Sequence, residues 1–192
     1  MGLKERALRA ARSGAGGWLA YLGVRFFPCL LPVRIRKMDR NAVRMEHPHP
    51  MKAGHEIIVP RKRIRDLVSA LRDDGTWEDI CRFLSGSVDF ERECLVCSLG
   101  TRQEVKQLHF HVLPDQGKHV PDGVWTAEGT LTLSADSLVC RDSLMRRLSE
   151  ANKAGRRDMT VRWVRARESS GSTQIQKHED NSRRKDTDAI FV

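Results

Sequence analysis

The chain has 192 residues and a mass of 21.9 kDa, enough for one ordinary domain with tails and a single sizeable core. Its net charge of +9 and pI near 9.8 favour anionic partners such as nucleotides, nucleic acid or an acidic membrane surface, without selecting among these or against a generally basic soluble protein. Five cysteines (Cys29, Cys81, Cys94, Cys97, Cys140) at irregular spacing exclude a disulfide framework and point to a reducing, cytoplasmic compartment.

Residues 1 to 32 read as a basic and apolar N-terminal arm, with Lys4, Arg6, Arg9 and Arg12 ahead of the stretch WLAYLGVRFFPCLLPV. Arg25 interrupts that stretch, Pro28 and Pro32 break it, and it falls short of the roughly 20 apolar residues a spanning helix needs. No transmembrane segment is therefore expected. No unbroken apolar run with a small-residue cleavage site marks a signal peptide, and Arg6 stands where myristoylation wants Ser or Thr. The arm is expected to pack Trp18, Leu19, Leu22 and Phe26 on the domain; a basic amphipathic helix lying on an anionic membrane is the second reading.

Residues 33 to 45 read as a strand pair turning at Asp39-Arg40-Asn41, and His47-Pro48-His49-Pro50 as a loop. Residues 56 to 59 form a short β-branched strand that stops at Pro60. Ile64, Leu67, Val68 and Leu71 then recur at the spacing of one helical face. Trp77, Ile80, Cys81 and Leu84 repeat that spacing after a turn at Asp73-Asp74-Gly75. Residues 94 to 97 and 105 to 113 supply two more strands around a loop through Gly100. Leu131 and Leu133 suggest another strand, and residues 138 to 148 a helix. The order implies an α+β domain over residues 33 to 150, an antiparallel sheet with helices gathered on one side, followed by a polar, disordered tail over residues 151 to 192.

The chemistry concentrates in residues 107 to 114, QLHFHVLP. As a strand, this segment places Gln107, His109 and His111 on one face and Leu108, Phe110 and Val112 on the other. Neutral imidazole is a good nucleophile towards phosphorus, and a second one nearby can donate hydrogen bonds to phosphate or carry a proton. A metal would need a third ligand, for which the sequence offers only the scattered His47, His55 and His119; no metal and no cofactor are expected. Spacing alone leaves open that the two histidines merely satisfy polar neighbours. Cys94-Leu-Val-Cys97 is read as buried apolar cysteine.

Two stretches taken together add context. EHPHPMKAGHEIIVPRKRIRDL (residues 46 to 67) and QEVKQLHFHVLP (residues 103 to 114) resemble the proline loop, strand and helix, and the catalytic strand, of the histidine triad (HIT) family, named for His-φ-His-φ-His-φ-φ with φ apolar. The resemblance spans roughly residues 33 to 121 and implies a HIT-like fold. It also implies a nucleotide hydrolase or transferase that cleaves a phosphorus-linked leaving group from a nucleoside monophosphate through a nucleotidyl-histidine intermediate. By the same resemblance His109 is the nucleophile, His111 assists phosphate binding and proton movement, and His55 lines the pocket.

The pattern also departs from the family. Gln107 replaces the first triad histidine, Ser98 lies where many members have Asn, and His47 lies where an acidic residue holds the ribose, with Glu46 beside it. Gln103 resembles the glutamine beside the phosphate, although Glu104 follows where a small hydroxyl is frequent. Arg61, Lys62 and Arg63 read as a solvated face. Purine nucleotides or their conjugates are the implied ligands, and a homodimer the implied assembly. The departures motivate two alternatives: a catalytically weak nucleotide-binding protein, and a nucleic-acid-associated factor that processes nucleotidyl adducts.

Overall fold

The computed structural model describes residues 16–31, 33–103, 105–115, 117 and 123–165. Helix α1 (Gly16–Phe26) ends where Pro28 arrives without an amide proton, and a short 3₁₀ turn, Pro28–Leu30, follows. The strands β1 (Ile35–Met38) and β2 (Ala42–Glu46) form a hairpin whose turn is held by Asp39: its Oδ1 accepts from the Asn41 and Ala42 amides at 2.7 and 2.8 Å. Strand β3 (Glu56–Pro60) pairs with β2.

Two helices follow, each begun by an aspartate that leaves the first-turn amides satisfied. Asp66 caps α2 (Leu67–Leu71) through Ser69, and Asp73 caps α3 (Asp74–Ser85) through Thr76. The expected turn at residues 73 to 75 is thus the cap and first turn of α3, and Ile64, although buried, precedes α2. Strand β4 (Glu93–Leu99) and strand β5 (Phe110–Pro114) come next, then β6 (Thr130–Ser134), α4 (Arg141–Lys153) and β7 (Met159–Val164).

The seven strands make one sheet in the order β1-β2-β3-β5-β4-β7-β6, antiparallel except for β6 and β7. Period-two alternation divides it into two faces. Ala42, Ile58, Leu95, Cys97, Phe110, Val112, Leu131, Val161 and Trp163 meet α2, α3 and α4 on one face in the main core. Val43, Met45, Ile57 and Val59 point the other way and meet Val24 of α1 and Leu31. Helices therefore gather on one side, as expected for the α+β class, with α1 on part of the opposite face.

Three expectations are corrected. Residues 105 to 109 are not strand: β5 begins at Phe110, and the preceding segment bends so that the Leu108 amide reaches the Ile64 carbonyl. Phe26 does not pack on the domain and is 60% exposed, while the side chains of Trp18 and Leu19 lie outside the described residues. The polar tail does not begin at residue 151, since α4 runs to Lys153 and β7 inserts Met159, Val161 and Trp163 into the core. Their alternation with Thr160, Arg162 and Val164 lowers the mean hydropathy of that stretch without weakening its buried face.

Gly100 sits at the end of β4 with φ +72°, and a Cβ there would lie 2.3 Å from the Arg157 carbonyl oxygen. Both the left-handed backbone and the close approach require glycine. Gly100→Ala is expected to destabilise the chain by about 2 kcal/mol or more, read as a lower midpoint of chemical denaturation.

Candidate active site

The pairing of β2 with β3 builds the first half of the site. Glu46 lies opposite Glu56, and the next step out of the ladder brings the His47 amide to the His55 carbonyl at 3.1 Å. Cross-strand neighbours on one face come into contact, so the two imidazoles stack with centroids 4.1 Å apart and planes 11° apart. His111 enters from β5, opposite Ile57 on one side and Val96 on the other, and so on the face away from the main core. His109 meets His111 edge-on at 5.0 Å.

Backbone groups fix the proton on each neutral ring, because an amide can only donate and a carbonyl can only accept. The Met51 amide donates to His55 Nδ1 at 3.2 Å, so the proton of neutral His55 is on Nε2 and is donated to His111 Nδ1 at 2.9 Å. The proton of neutral His111 is then on Nε2. His109 is set the other way round: its Nδ1–H donates to the Gln107 carbonyl oxygen at 2.8 Å, leaving the lone pair on Nε2. The two neighbouring rings thus offer an unprotonated nitrogen and an N–H donor.

Burial, followed by the charges of His47 and Lys52, lowers the His55 pKa to about 4. Burial again leads for His111, with His109, His55 and His47 adding to it, and lowers its pKa to about 3. Both rings stay neutral in the fold while an unfolded chain protonates them near pH 6.5. Below that pH the unfolded state binds more protons, so stability falls as pH drops towards 4, by up to roughly 1.4 kcal/mol per pH unit for each imidazole. Melting the wild type and His55→Gln across pH 7 to 4.5 is expected to give the shallower acid slope for the variant.

Gln107 is buried, and its Nε2 donates to the Pro60 and Lys62 carbonyls at 3.3 and 3.1 Å. The side chain ties the His109 segment to the end of β3, while the backbone carbonyl orients His109. Gln103, also buried, donates from Nε2 to the Arg65 carbonyl at 2.7 Å. Ser98 is half-buried on β4, and continuing the register from Val96 and His111 by two residues brings it level with His109. Glu46 is paired with Arg36 at 3.0 Å, so no carboxylate from that position joins His47. Lys62 pairs with Asp73 at 2.8 Å. Glu104 and His119 lie outside the described residues.

His47, His55 and His111 are not scattered: one ring nitrogen from each lies within 4.8 Å of the others. Their arrangement, one imidazole hydrogen bond and one ring stack, favours a structural cluster over a metal centre. A ligating imidazole keeps the ion near its own ring plane, and His47 and His55 lie face to face, with centroids 4.1 Å apart and planes 11° apart, rather than edge-on to a common point. Ligating histidines also donate their second nitrogen outward, whereas Nδ1 of His47 and of His55 each accepts from a backbone amide.

Sequence reasoning missed Lys52 and Arg162. Lys52 Nζ donates to the Pro114 carbonyl at 2.8 Å, binding the proline loop to β5. Arg162 of β7 pairs with Asp115 at 2.9 Å and stands level with Val96 in the row that includes His111. The alternation of residues 159 to 164 was the available signal for Arg162.

No protein-family model and no curated protein matches the sequence. Solved structures do match. A HIT family hydrolase from Clostridium thermocellum is 18% identical, with 54% of this chain and 96% of that one covered and a TM-score of 0.42. A hypothetical histidine triad nucleotide-binding protein from Sulfolobus tokodaii is 15% identical over 69% of this chain and 93% of that one, with a TM-score of 0.42. A histidine triad protein from Clostridium difficile is 21% identical over 50% and 88%, at a TM-score of 0.38. These structures that the chain is similar to are histidine triad proteins, and each is spanned over most of its length.

Proposed function

We propose that the chain belongs to the histidine triad family and acts as a nucleotide hydrolase or transferase, with a purine nucleoside 5′-phosphate conjugate as substrate. The observation that carries this reading is the opposed tautomers of His109 and His111. His109 Nε2 attacks the α-phosphorus; a P–N bond forms, the bond to an amine, phosphate or nucleotide leaving group breaks, and the departing group takes its proton from solvent. Water then attacks the nucleotidyl-histidine, the P–N bond breaks, and the nucleoside monophosphate leaves as His109 returns to its starting form.

His111 stays neutral, so its role is to donate a hydrogen bond from Nε2 to a phosphoryl oxygen rather than to give up a proton. His55 holds His111 in that tautomer. Gln107 needs no proton chemistry, because the group that orients His109 is a backbone carbonyl. With His47 at the ribose position and Glu46 paired with Arg36, no described residue supplies the family's carboxylate for ribose hydroxyls at that position, which favours substrates held by their phosphate.

The test is to incubate the full chain with an adenosine 5′-phosphoramidate and with a dinucleoside polyphosphate, following mononucleotide by chromatography and the mass of acid-labile adduct on the quenched protein. Product with an adduct mapped to His109 is the expected result. Tight nucleotide binding with neither product nor adduct would leave a binding protein instead. A homodimer belongs to the same proposal, and a one-chain mass in solution would remove it.

A further inference from the structure

The end of α1 turns large apolar side chains outward. Phe26, Phe27 and Leu30 are 60, 58 and 78% exposed within five residues, while their neighbours Val24 and Pro28 are buried and Leu31 packs against the strands. The outward orientation is fixed by that inward set together with the Phe27 amide bonded to the Gly23 carbonyl at 3.0 Å. Phe26 and Phe27 touch at a centroid distance of 6.4 Å, so they form one apolar tip rather than scattered exposure.

Basic groups stand on one side of this tip. Arg25 lies against the Phe26 ring, with its guanidinium 5.9 Å from the centroid. Arg61 donates to the Arg25 carbonyl at 2.7 Å, which brings a second guanidinium to the helix end. Arg40 and Lys62 line the cleft next to Arg25, whose acidic residues Asp73, Glu78 and Asp79 all belong to the α3 wall, with Asp73 already paired to Lys62. Upstream in the sequence stand Lys4, Arg6, Arg9 and Arg12 against the single acid Glu5.

We infer that this tip docks the protein on an anionic lipid bilayer, with Phe26, Phe27 and Leu30 entering the interface and the arginines meeting lipid phosphates and carboxylates. A second copy fits less well. An isologous contact would set the basic rim against itself, and three side chains fall short of the roughly 800 Å² per partner that a stable dimer buries. Shallow insertion of a few apolar groups beside positive charge is what reversible interfacial binding requires. Among the described residues no helix is long and apolar enough to cross a membrane, so the contact is with the surface.

The full chain is mixed with phosphatidylcholine vesicles and with vesicles that also contain phosphatidylserine, and sedimented at low and at moderate salt. Binding to the anionic vesicles alone, weakened by salt, is expected. Phe26→Ser/Phe27→Ser/Leu30→Ser should lower partitioning by roughly tenfold or more while the melting temperature holds, because these side chains are exposed. Equal sedimentation of the triple variant and the wild type would overturn the inference. So would wild-type binding to neither vesicle, or a wild-type dimer in solution that the triple variant converts to monomer without any vesicle binding.

Discussion

His109→Ala is expected to lose mononucleotide release altogether, by at least roughly 10⁴-fold in kcat/KM, and to leave no adduct on the quenched protein. The reason lies in the proposed reaction, which gives the covalent step to one imidazole. Among the imidazoles gathered there, His109 has its proton fixed on Nδ1 by a carbonyl, which puts its lone pair on Nε2, the atom that attacks phosphorus in the proposed reaction. His55 and His111 have Nε2–H and Nδ1 already engaged with one another. Neither can replace His109 without breaking that bond and taking an unfavourable tautomer.

Gln107→Ala makes the contrast. It removes the two donations to the Pro60 and Lys62 carbonyls but leaves the carbonyl that orients His109. Its cost should appear chiefly as about 1 to 3 kcal/mol of stability, with turnover per folded molecule far less affected than in His109→Ala. Denaturation midpoints and single-turnover rates on the same preparations separate the two. Comparable losses of turnover in both variants would sink the assignment of distinct roles.

The largest effect on stability is expected at Trp163. This side chain is fully buried in the main core, where it meets Phe110 at a centroid distance of 6.3 Å. Trp163→Ala should cost about 3 to 5 kcal/mol, a large share of the roughly 5 to 15 kcal/mol that holds a domain together, and should lower the melting temperature by about 10 °C. Trp163→Phe should cost less than Trp163→Ala, since the remaining ring leaves a smaller cavity and the indole N–H has no hydrogen-bond partner among the described residues. Because β7 lies between β4 and β6, the same loss should propagate to both neighbours, seen as faster amide exchange in β4.

Trp163 also marks the limit of what sequence could reveal. The hairpin turn at Asp39, the strand ending at Pro60 and the helices carrying Leu67 and Trp77 were legible because each combines a strong period with a turn or cap residue. Residues 159 to 164 hold the same period-two signal, but Thr160, Arg162 and a charged surrounding place them among polar segments when read by composition. The end of the N-terminal arm failed for a related reason: apolar character predicted burial, yet Pro28 ends α1 so that Phe26 and Phe27 face outward.

At the site, His109 and His111 stood out in the HFH pattern, and His55 through the resemblance of its loop and strand to those of histidine triad proteins. The direction of each hydrogen bond could not. Which nitrogen of His55 is protonated depends on where the Met51 amide points, and that follows from the path of the proline loop. The meeting of His47 with His55 likewise depends on hairpin register, which two residues eight positions apart do not announce.

The borders of the sheet bear on how copies of this chain can meet. Strand β1 is short and irregular in its pairing with β2 between Ile35 and Lys37, and it carries Arg36 and Lys37, features that discourage a foreign strand from adding on. On the far side, β6 is covered by its own preceding segment: Trp125 bridges Leu131, and the Gly123 and Thr126 amides donate to the carbonyls of Thr132 and Thr130 at 2.8 Å. Both rims are thus guarded against the edge-to-edge aggregation to which open sheets are prone. Two copies that pair are expected to do so through side-chain surfaces, with an association that responds to substitutions on helices or loops rather than to backbone methylation along β1.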